Sequence, residues 1–181
     1  MKHMLFGLAT VLALAIAAQP AVTTAANKTK QKEVKLPFKG HKYETDKKYF
    51  RAFESGTSTN QSTAKKMALH NAKTVLAGNL EATVKAVTDQ YINQMNTTEG
   101  IEDASTFQQQ SREVVRQAIN EVTIIDEKLF ATKDGRYTYW VAIEMPKEAL
   151  RRGISKQVKE NTKINQAEFQ KIFDQEMDKL E

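Results

Sequence analysis

Cysteine is missing from all 181 residues of the chain. Its absence excludes a disulfide framework, a thiol nucleophile and a lipid anchor attached to a cysteine side chain. About 155 residues remain after a predicted leader segment, which is enough for one domain with a sizeable core. A packed core alone must therefore stabilise that domain.

Long apolar runs are missing as well. The run at residues 5–18 is shorter than the ~20 residues that a membrane-spanning helix needs, and no later stretch comes close. Lys2 precedes the run, and the small residues at 24–26 follow it, as at a secretory cleavage site. We predict a signal peptide at 1–26 and an exported chain that starts near Asn27. The alternative is an uncleaved amphipathic anchor, which the lack of charge on every face of the run disfavours.

Catalytic motifs are missing too: the chain has no G-x-S-x-G elbow, no phosphate loop and no metalloprotease helix. His41 and His70 are not spaced as a metal pair, and the positions three and four residues after His70 hold no ligand. Adjacent acids such as Asp126 and Glu127 point to opposite faces of a strand and cannot share a substrate. We therefore predict no catalytic residue, no metal and no cofactor. An enzyme would require carboxylates from distant segments to converge.

The positive charge of the chain lies mainly in one segment. The full chain has 27 basic and 22 acidic residues, and residues 27–48 hold eight lysines against three acids. The rest of the chain is close to neutral, so we expect no nucleic-acid-binding face on the folded part. We predict that residues 27–48 form an extended lysine-rich linker, which serves as a solvated spacer or contacts an anionic envelope polymer or lipid.

The pattern after the linker predicts a strand and a long helix. The short segment 49–53 is rich in aromatic residues and predicts a strand. The segment 55–58 predicts a turn that ends this strand. Helix formers then run to about Met95, with Ser58, Asn60 and Ser62 as possible N-caps.

The apolar face of this long helix changes direction at Gly78. Its first half carries one face and its second half carries another, rotated by roughly half a turn at about 100° per residue. We predict either a kink or break near Gly78, or a straight helix whose second half packs on a different layer or on another subunit. The first face is Ala64, Met67, Ala68, Ala72 and Val75, and the second is Leu80, Val84, Val87, Tyr91 and Met95.

The second half of the chain predicts a loop, a helix and a hairpin. The polar segment 96–103 reads as the loop, and residues 105–120 read as the helix. Strands at 122–131 and 137–145 flank Asp134 and Gly135, a pair that suits a type I′ turn. Residues 139–143 do not alternate with polar residues, so we expect both faces of that strand to be covered, one by helices and the other by a terminal helix or a second copy. A second copy would form an edge-strand or sheet-face dimer.

Two amphipathic helices are predicted to end the chain, at 147–159 and about 165–180. They pack within the chain, or the last one binds a partner. The sequence therefore predicts an α+β fold with four parts: a signal peptide at 1–26, the linker at 27–48, a domain at 49–146 and carboxyl-terminal helices at 147–181. The sheet of this domain is small and contains antiparallel strands.

Three segments carry a family resemblance: 50–58 (FRAFESGTS), 64–73 (AKKMALHNAK) and 134–143 (DGRYTYWVAI). Together they resemble the LPP-twenty lipoprotein-like domain family, and a similar domain opens the flagellar assembly protein T. The resemblance implies a strand, a long helix against a sheet, a closing hairpin, residence in the bacterial envelope and no established catalytic residues. Glu54 stands where the family often has a glycine, and the missing cysteine removes the lipid anchor.

These observations favour a protein of the periplasm or cell envelope that acts without catalysis, by binding an envelope protein or by assembling with itself. The alternative is a module that binds a small ligand or a cell-wall polysaccharide through Tyr137, Tyr139 and Trp140. The candidate interaction surface is formed by Tyr139, Trp140, Leu80, Val84, Val87 and Tyr91.

Overall fold

The computed structural model describes residues 35–95, 98–161 and 163–180. The predicted signal peptide at 1–26 and the start of the predicted linker, 27–34, lie outside these ranges. The fold is α+β, as predicted: a three-stranded antiparallel sheet packs with four α-helices. Short 3₁₀ helices lie at His41–Tyr43 and Ile119–Glu121.

The sheet has the spatial order β1-β3-β2, with β1 at Tyr49–Ser58, β2 at Thr123–Ala131 and β3 at Tyr137–Pro146. Strand β3 is central and pairs antiparallel with both neighbours. Its pairing with β1 runs from Tyr49 opposite Pro146 to Ser58 opposite Tyr137, so the first strand does join the hairpin. The central position explains why residues 139–143 have no polar alternate.

Strand β1 is longer than predicted. The segment 55–58, predicted as a turn, continues the strand and stays in register with β3. The glycine that suggested a turn serves helix packing instead. A Cβ atom on Gly56 would lie 2.5 Å from the amide nitrogen of Ala68 and 2.6 Å from the carbonyl oxygen of Ala64. Only glycine allows the helix backbone to come this close to the strand.

Helix α1 spans Gln61–Met95 and continues without a break through Gly78, so the predicted break there is wrong. The helix begins after Asn60, whose side chain accepts a hydrogen bond of 3.0 Å from the amide of Thr63. In its amino-terminal half, Ala64 and Ala68 lie against Gly56 of β1, and near its carboxyl-terminal end Tyr91 packs on Phe169 of the last helix. The alternative prediction, in which the second half faces a different layer, is therefore confirmed.

The buried line of α1 explains this change of layer. Residues four apart are offset by about 40° on a helix of 100° per residue, so a line with this spacing winds around the helix. Met67 and Val75 fall off the line and are exposed, which corrects their predicted place on the packed face. The line consists of Ala64, Ala68, Ala72, Leu76, Leu80, Val84, Val87 and Tyr91.

Helix α2 spans Thr98–Ala118 and begins earlier than predicted. From residue 98 onward the predicted loop is helical. Gly100 suggested a loop, but one helical glycine costs only about 1 kcal/mol.

The hairpin turn between β2 and β3 differs from the prediction by one position. The amide of Gly135 donates to the carbonyl of Thr132 over 3.1 Å, so Lys133 and Asp134 are the central residues of the turn. Gly135 follows them with φ 77°. This is the arrangement of a three-residue hairpin loop whose last residue is left-handed, and not a two-residue type I′ turn.

Helix α3 spans Lys147–Glu160 and helix α4 spans Gln166–Lys179. The apolar face of α4 is buried within the chain: Phe169 lies 4.6 Å from Phe107 of α2 and 5.4 Å from Tyr91 of α1, measured between ring centroids. The intramolecular alternative for the last helix is thus confirmed. Its apolar face is not free for a partner.

Residues 35–48 are not the extended linker that was predicted. They pack on the face of the sheet opposite α1, which we call the outer face. Phe38 is 1% exposed, and its ring lies 4.9 Å from the ring of Tyr43 and 5.8 Å from that of Phe53 on β1. The second cover of the sheet is therefore a segment of the same chain, since two aromatic side chains anchor it despite the surrounding lysines.

Candidate functional site

The predicted interaction surface is mostly core. Leu80, Val84, Val87 and Tyr91 are at most 2% exposed and pack between α1 and its neighbours. Tyr139 is also buried, and Trp140 is half-buried. These six side chains do not form one exposed patch. Burial in the chain's own core contradicts an exposed interface at Tyr139 and at the four α1 residues, whereas Trp140 stays a prediction.

The aromatic residues of the ligand-binding alternative are divided between two faces. The ring of Trp140 lies on the outer face, 6.4 Å from Phe53. Tyr139 lies on the opposite face and bonds Glu127 there, and strand alternation places Tyr137 with it. The three rings therefore cannot form one stacking platform for a sugar.

Titratable groups do not converge into a catalytic cluster in the described part of the chain. There, no three His, Asp or Glu side chains are placed to hold a metal ion, and no buried polar side-chain atom lacks a hydrogen-bond partner. His70 is exposed on α1, and exposed His41 pairs with Glu44 over 3.1 Å. A groove of about 280 Å³ between α1 and α2 is lined by Gly78, Lys85 and Arg112 among others.

Asp126 and Glu127 point to opposite faces of β2, as predicted, but neither is merely solvated. Asp126 accepts a hydrogen bond of 2.6 Å from the hydroxyl of Tyr43 on the outer face, which lowers the pKa of its carboxyl group. Glu127 pairs with Lys65 over 2.6 Å and accepts a bond of 2.6 Å from the hydroxyl of Tyr139. Those two bonds, the one from Lys65 first, hold the pKa of Glu127 below its usual value.

The two edges of the sheet differ in how their backbone groups are satisfied. On the edge of β1, the amides of Tyr49 and Arg51 donate to side chains of Asp46 and Thr45, over 2.9 Å and 3.1 Å. The carbonyl of Ser55 accepts from the amide side chain of Asn71, over 2.8 Å. The segment 44–46 and helix α1 therefore cover much of this edge.

The edge of β2 has no such cover among the described residues. Odd-numbered residues of β1 point their backbone groups away from β3, so the even-numbered residues of β1 form the hydrogen bonds to β3. These even-numbered residues lie opposite odd-numbered residues of β3. The even-numbered residues of β3 therefore form the hydrogen bonds to β2. Their partners on β2 are Asp126, Lys128 and Phe130. The backbone groups of Glu127, Leu129 and Ala131 consequently face outward. We call the outward backbone of 127–131, together with its side chains, the open edge.

Exposed apolar side chains concentrate on this strand. Six large apolar side chains are exposed in the described part of the chain, and three of them lie on β2. Leu129 is 41% exposed and Phe130 is 47% exposed, on opposite faces of the open edge. Helix α1 packs mainly on β1 and β3 and reaches β2 through the ion pair of Lys65 with Glu127, so Leu129 stays exposed. An edge strand of this kind is a template for pairing with another strand.

The first half of β2 carries protection against such pairing. The register shifts at a bulge between Ile124 and Asp126. The outward amide of Glu127 donates over 2.9 Å to the side chain of Asp126, which occupies that donor within the same strand. Bulges and charged side chains are the devices by which proteins block sheet edges. From Leu129 to Ala131 neither device is present.

Sequence reasoning missed the open edge because it treated β2 only as half of a hairpin. Its alternation is weak, and Ile124, Leu129 and Phe130 could equally belong to a buried strand. The available signal was the charged run from Asp126 to Lys128 in the middle of the strand, which is typical of edge strands. Strand order, however, cannot be read from that run.

Comparison with known proteins adds no relative to this geometry. No protein-family model matches the chain, and no curated protein or solved structure is similar to it. Within the part of the chain that the structure describes, none of the helices combines the length and the apolar character needed to cross a bilayer.

Proposed function

We propose that this chain is an exported protein of the periplasm or cell envelope that acts without catalysis, by pairing its open edge with another polypeptide. The open edge carries the proposal. It combines three outward-facing backbone positions with two exposed apolar side chains, and strand addition to such an edge supplies main-chain hydrogen bonds and side-chain contacts together.

The amino-terminal sequence supports the export part of the proposal. Lys2, the apolar run at 5–18 and the small residues at 24–26 have the order of a secretory signal. The absence of cysteine is compatible with an oxidising compartment but does not require it. The family proposal, an LPP-twenty-like domain, is supported by the order of strand, long helix and closing hairpin, which agrees with the order that the resemblance implies.

A secondary contact is proposed for the lysines of the amino-terminal segment. Lys35, Lys42 and Lys48 have exposed side chains beside the outer face of the sheet. Exposed lysines near an anionic lipid or polymer surface contribute roughly 1 kcal/mol each, and the contribution falls with salt. Such a contact would orient the protein and is not needed for the edge to pair.

Photo-crosslinking in cells tests the proposal. A photoreactive amino acid replaces Phe130 on the open edge in the full chain, and the matched control replaces Val75, which is 41% exposed on α1. We expect a protein adduct at position 130 but not at position 75, in the periplasmic or envelope fraction, on a chain shortened by about the signal peptide.

Two results would contradict the proposal. One is a full-length chain that stays in the cytoplasm. The other is an exported chain with no adduct at position 130, or with equal adducts at both positions.

A further inference from the structure

We propose that the partner of the open edge is a second copy of this chain, whose β2 pairs antiparallel with the first about a two-fold axis at Leu129. The inference rests on the proposed function, since it names the occupant of the same edge. The two sheets would join into one continuous six-stranded sheet. Self-pairing of this kind is an isologous contact, in which the same surface serves both copies.

The alternation of inward-facing and outward-facing backbone groups along β2 limits the registers in which two copies can pair. The outward backbone groups belong to Glu127, Leu129 and Ala131, so these residues must form the hydrogen-bonded pairs of any added antiparallel strand. In a two-fold pair each residue faces a residue equally distant from the axis. Only an axis that passes through a residue of β2 meets both conditions.

Charge then separates the remaining registers. An axis at Glu127 places that carboxylate opposite its own copy, and an axis at Lys128 places two ammonium groups opposite each other. Like charges directly opposite destabilise a strand pair. An axis at Phe130 or beyond runs into the turn that begins at Thr132 and leaves a shorter ladder.

The axis at Leu129 avoids both defects. Leu129 faces its own copy, Glu127 faces Ala131 of the other copy, and Lys128 faces Phe130 of the other copy. The exposed Leu129 and Phe130 side chains are thereby covered. Lys128, whose Nζ donates to the carbonyl of Pro37 in its own chain over 2.6 Å, meets Phe130 with its aliphatic stem. The ladder also lies beyond the bulge at Ile124. Leu129 and Ala131 have no protection there, and the amide of Glu127 exchanges its bond to Asp126 for one to Ala131 of the other copy.

Single cysteines test the register directly, because the chain has none of its own. Hydrogen-bonded pairs in an antiparallel ladder have Cα atoms about 5.5 Å apart, within the range of about 4.4–6.8 Å that a disulfide bridges. Under a mild oxidant we expect Leu129→Cys to form a disulfide-linked dimer. Glu127→Cys and Lys128→Cys should stay mostly monomeric, and so should Val75→Cys, which reports random collision.

A charge substitution tests the same pairing without oxidation. Leu129→Lys places two ammonium groups on the axis, and we expect the mass measured by sedimentation to fall from that of a dimer to that of a monomer. Val75→Lys, at a side chain of equal exposure on α1, should sediment like the unmodified chain. Circular dichroism of both variants checks that they are folded.

If Glu127→Cys or Lys128→Cys formed disulfide-linked dimers and Leu129→Cys did not, the register with the axis at Leu129 would be wrong. Monomeric sedimentation of the unmodified chain at tens of micromolar, with no disulfide at position 129, would overturn self-pairing. That failure is distinguishable from failure of the proposed function. An adduct at position 130 to a different protein would retain the function and reject only the second copy as partner.

Discussion

Gly56 and Gly78 show how one residue type has opposite roles in this protein. Gly56 lies on β1, where a Cβ atom would meet the backbone of α1 at 2.5 Å and 2.6 Å. Gly78 lies inside α1, and apart from the adjoining turns of the helix backbone no atom lies within 4 Å of such a Cβ. The first glycine allows a close approach of helix and strand. The second only weakens a helix.

Alanine substitutions at these two positions should therefore change stability in opposite directions. Gly56→Ala forces backbone atoms apart, and we expect it to lower the free energy of unfolding by about 1–3 kcal/mol. Gly78→Ala adds helix propensity without a clash, and we expect a gain of roughly 0.5–1 kcal/mol. Urea unfolding of both variants measures this. Equal effects at the two positions would show that helix and strand are not packed this closely.

The ion pair of Glu127 with Lys65 links β2 to α1 and makes stability depend on pH. The pKa of the Glu127 carboxyl is lowered in the folded state, mainly by Lys65 and then by Tyr139. A lowered pKa stabilises the fold above the unfolded pKa of about 4.3, and this contribution is lost as the pH falls through the folded value. The pKa values of Lys65 and Tyr139 are raised, chiefly by hydrogen bonds to Glu127.

Glu127→Gln should consequently destabilise the protein at neutral pH and much less in acid. At pH of about 7 we expect a loss of up to about 1 kcal/mol, because the pair is partly exposed. As the pH falls through the lowered pKa of Glu127, the variant and the unmodified chain should converge. Urea midpoints across this range measure the difference. Glu160→Gln, at an exposed carboxylate on α3, is the control and should change stability by less than about 0.5 kcal/mol.

At the scale of elements, the amino-terminal segment 35–48 belongs to the folded unit. Arg51 of β1 holds it by donating from Nη1 to Asp46 over 2.6 Å and to the carbonyl of Glu44 over 2.8 Å. Its Nε also donates to Glu144 of β3 over 3.0 Å, so the same guanidinium joins the segment to two strands. Phe38 fills the space between the segment and the sheet.

Two alanine substitutions in this segment should differ in their effect on stability, because one removes a buried apolar side chain and the other an exposed one. Phe38→Ala should cost about 3–5 kcal/mol, because the ring is 1% exposed and its removal leaves a cavity. Leu36→Ala, two residues earlier, should cost less than about 0.5 kcal/mol, because that side chain is 48% exposed. Thermal unfolding can compare them. A small cost at Phe38 would indicate that the segment is a spacer after all.

At the scale of the molecule, α1 belongs to two layers. Ala64 and Ala68 in its amino-terminal half contact β1 at Gly56, and Tyr91 near its other end contacts Phe169 of α4. At the far end, the hydroxyl of Tyr91 accepts a hydrogen bond of 2.8 Å from the amide of Asn165 before α4. Unfolding either layer exposes part of α1, so the layers should not unfold independently.

Two probes should accordingly report one unfolding transition. Trp140 is the single tryptophan and lies on the sheet, whereas the far-ultraviolet circular dichroism arises mostly from the helices. In a urea titration we expect fluorescence and circular dichroism to change with the same midpoint and slope, as a two-state domain requires. Separate midpoints for the two probes would mean that α1 does not couple the layers.

Local features of this fold could be predicted from short stretches of sequence. The cap at Asn60, the alanines at 64, 68 and 72, and the two strands of the hairpin each depend on residues near one another in the chain. The rotation of the apolar face along α1 was also visible, since helical period is a local property. The error at Gly56 has a local cause: a glycine marks a turn or a close packing contact, and its neighbours do not distinguish them. At Gly100 the glycine suggested a loop, but a helix accommodates one glycine at a cost of about 1 kcal/mol.

The candidate site was less predictable because it depends on segments far apart in the chain. The sequence by itself determined the α+β class, the type of most elements and the absence of cysteine chemistry, since composition and short-range pattern carry that information. Only the tertiary structure decided that Leu80 and Tyr91 face helices of the same chain, that Phe38 covers the outer face, and that β2 lies at an edge. Which strand becomes an edge depends on the long-range contacts that bury the other strands, and no local pattern encodes those contacts.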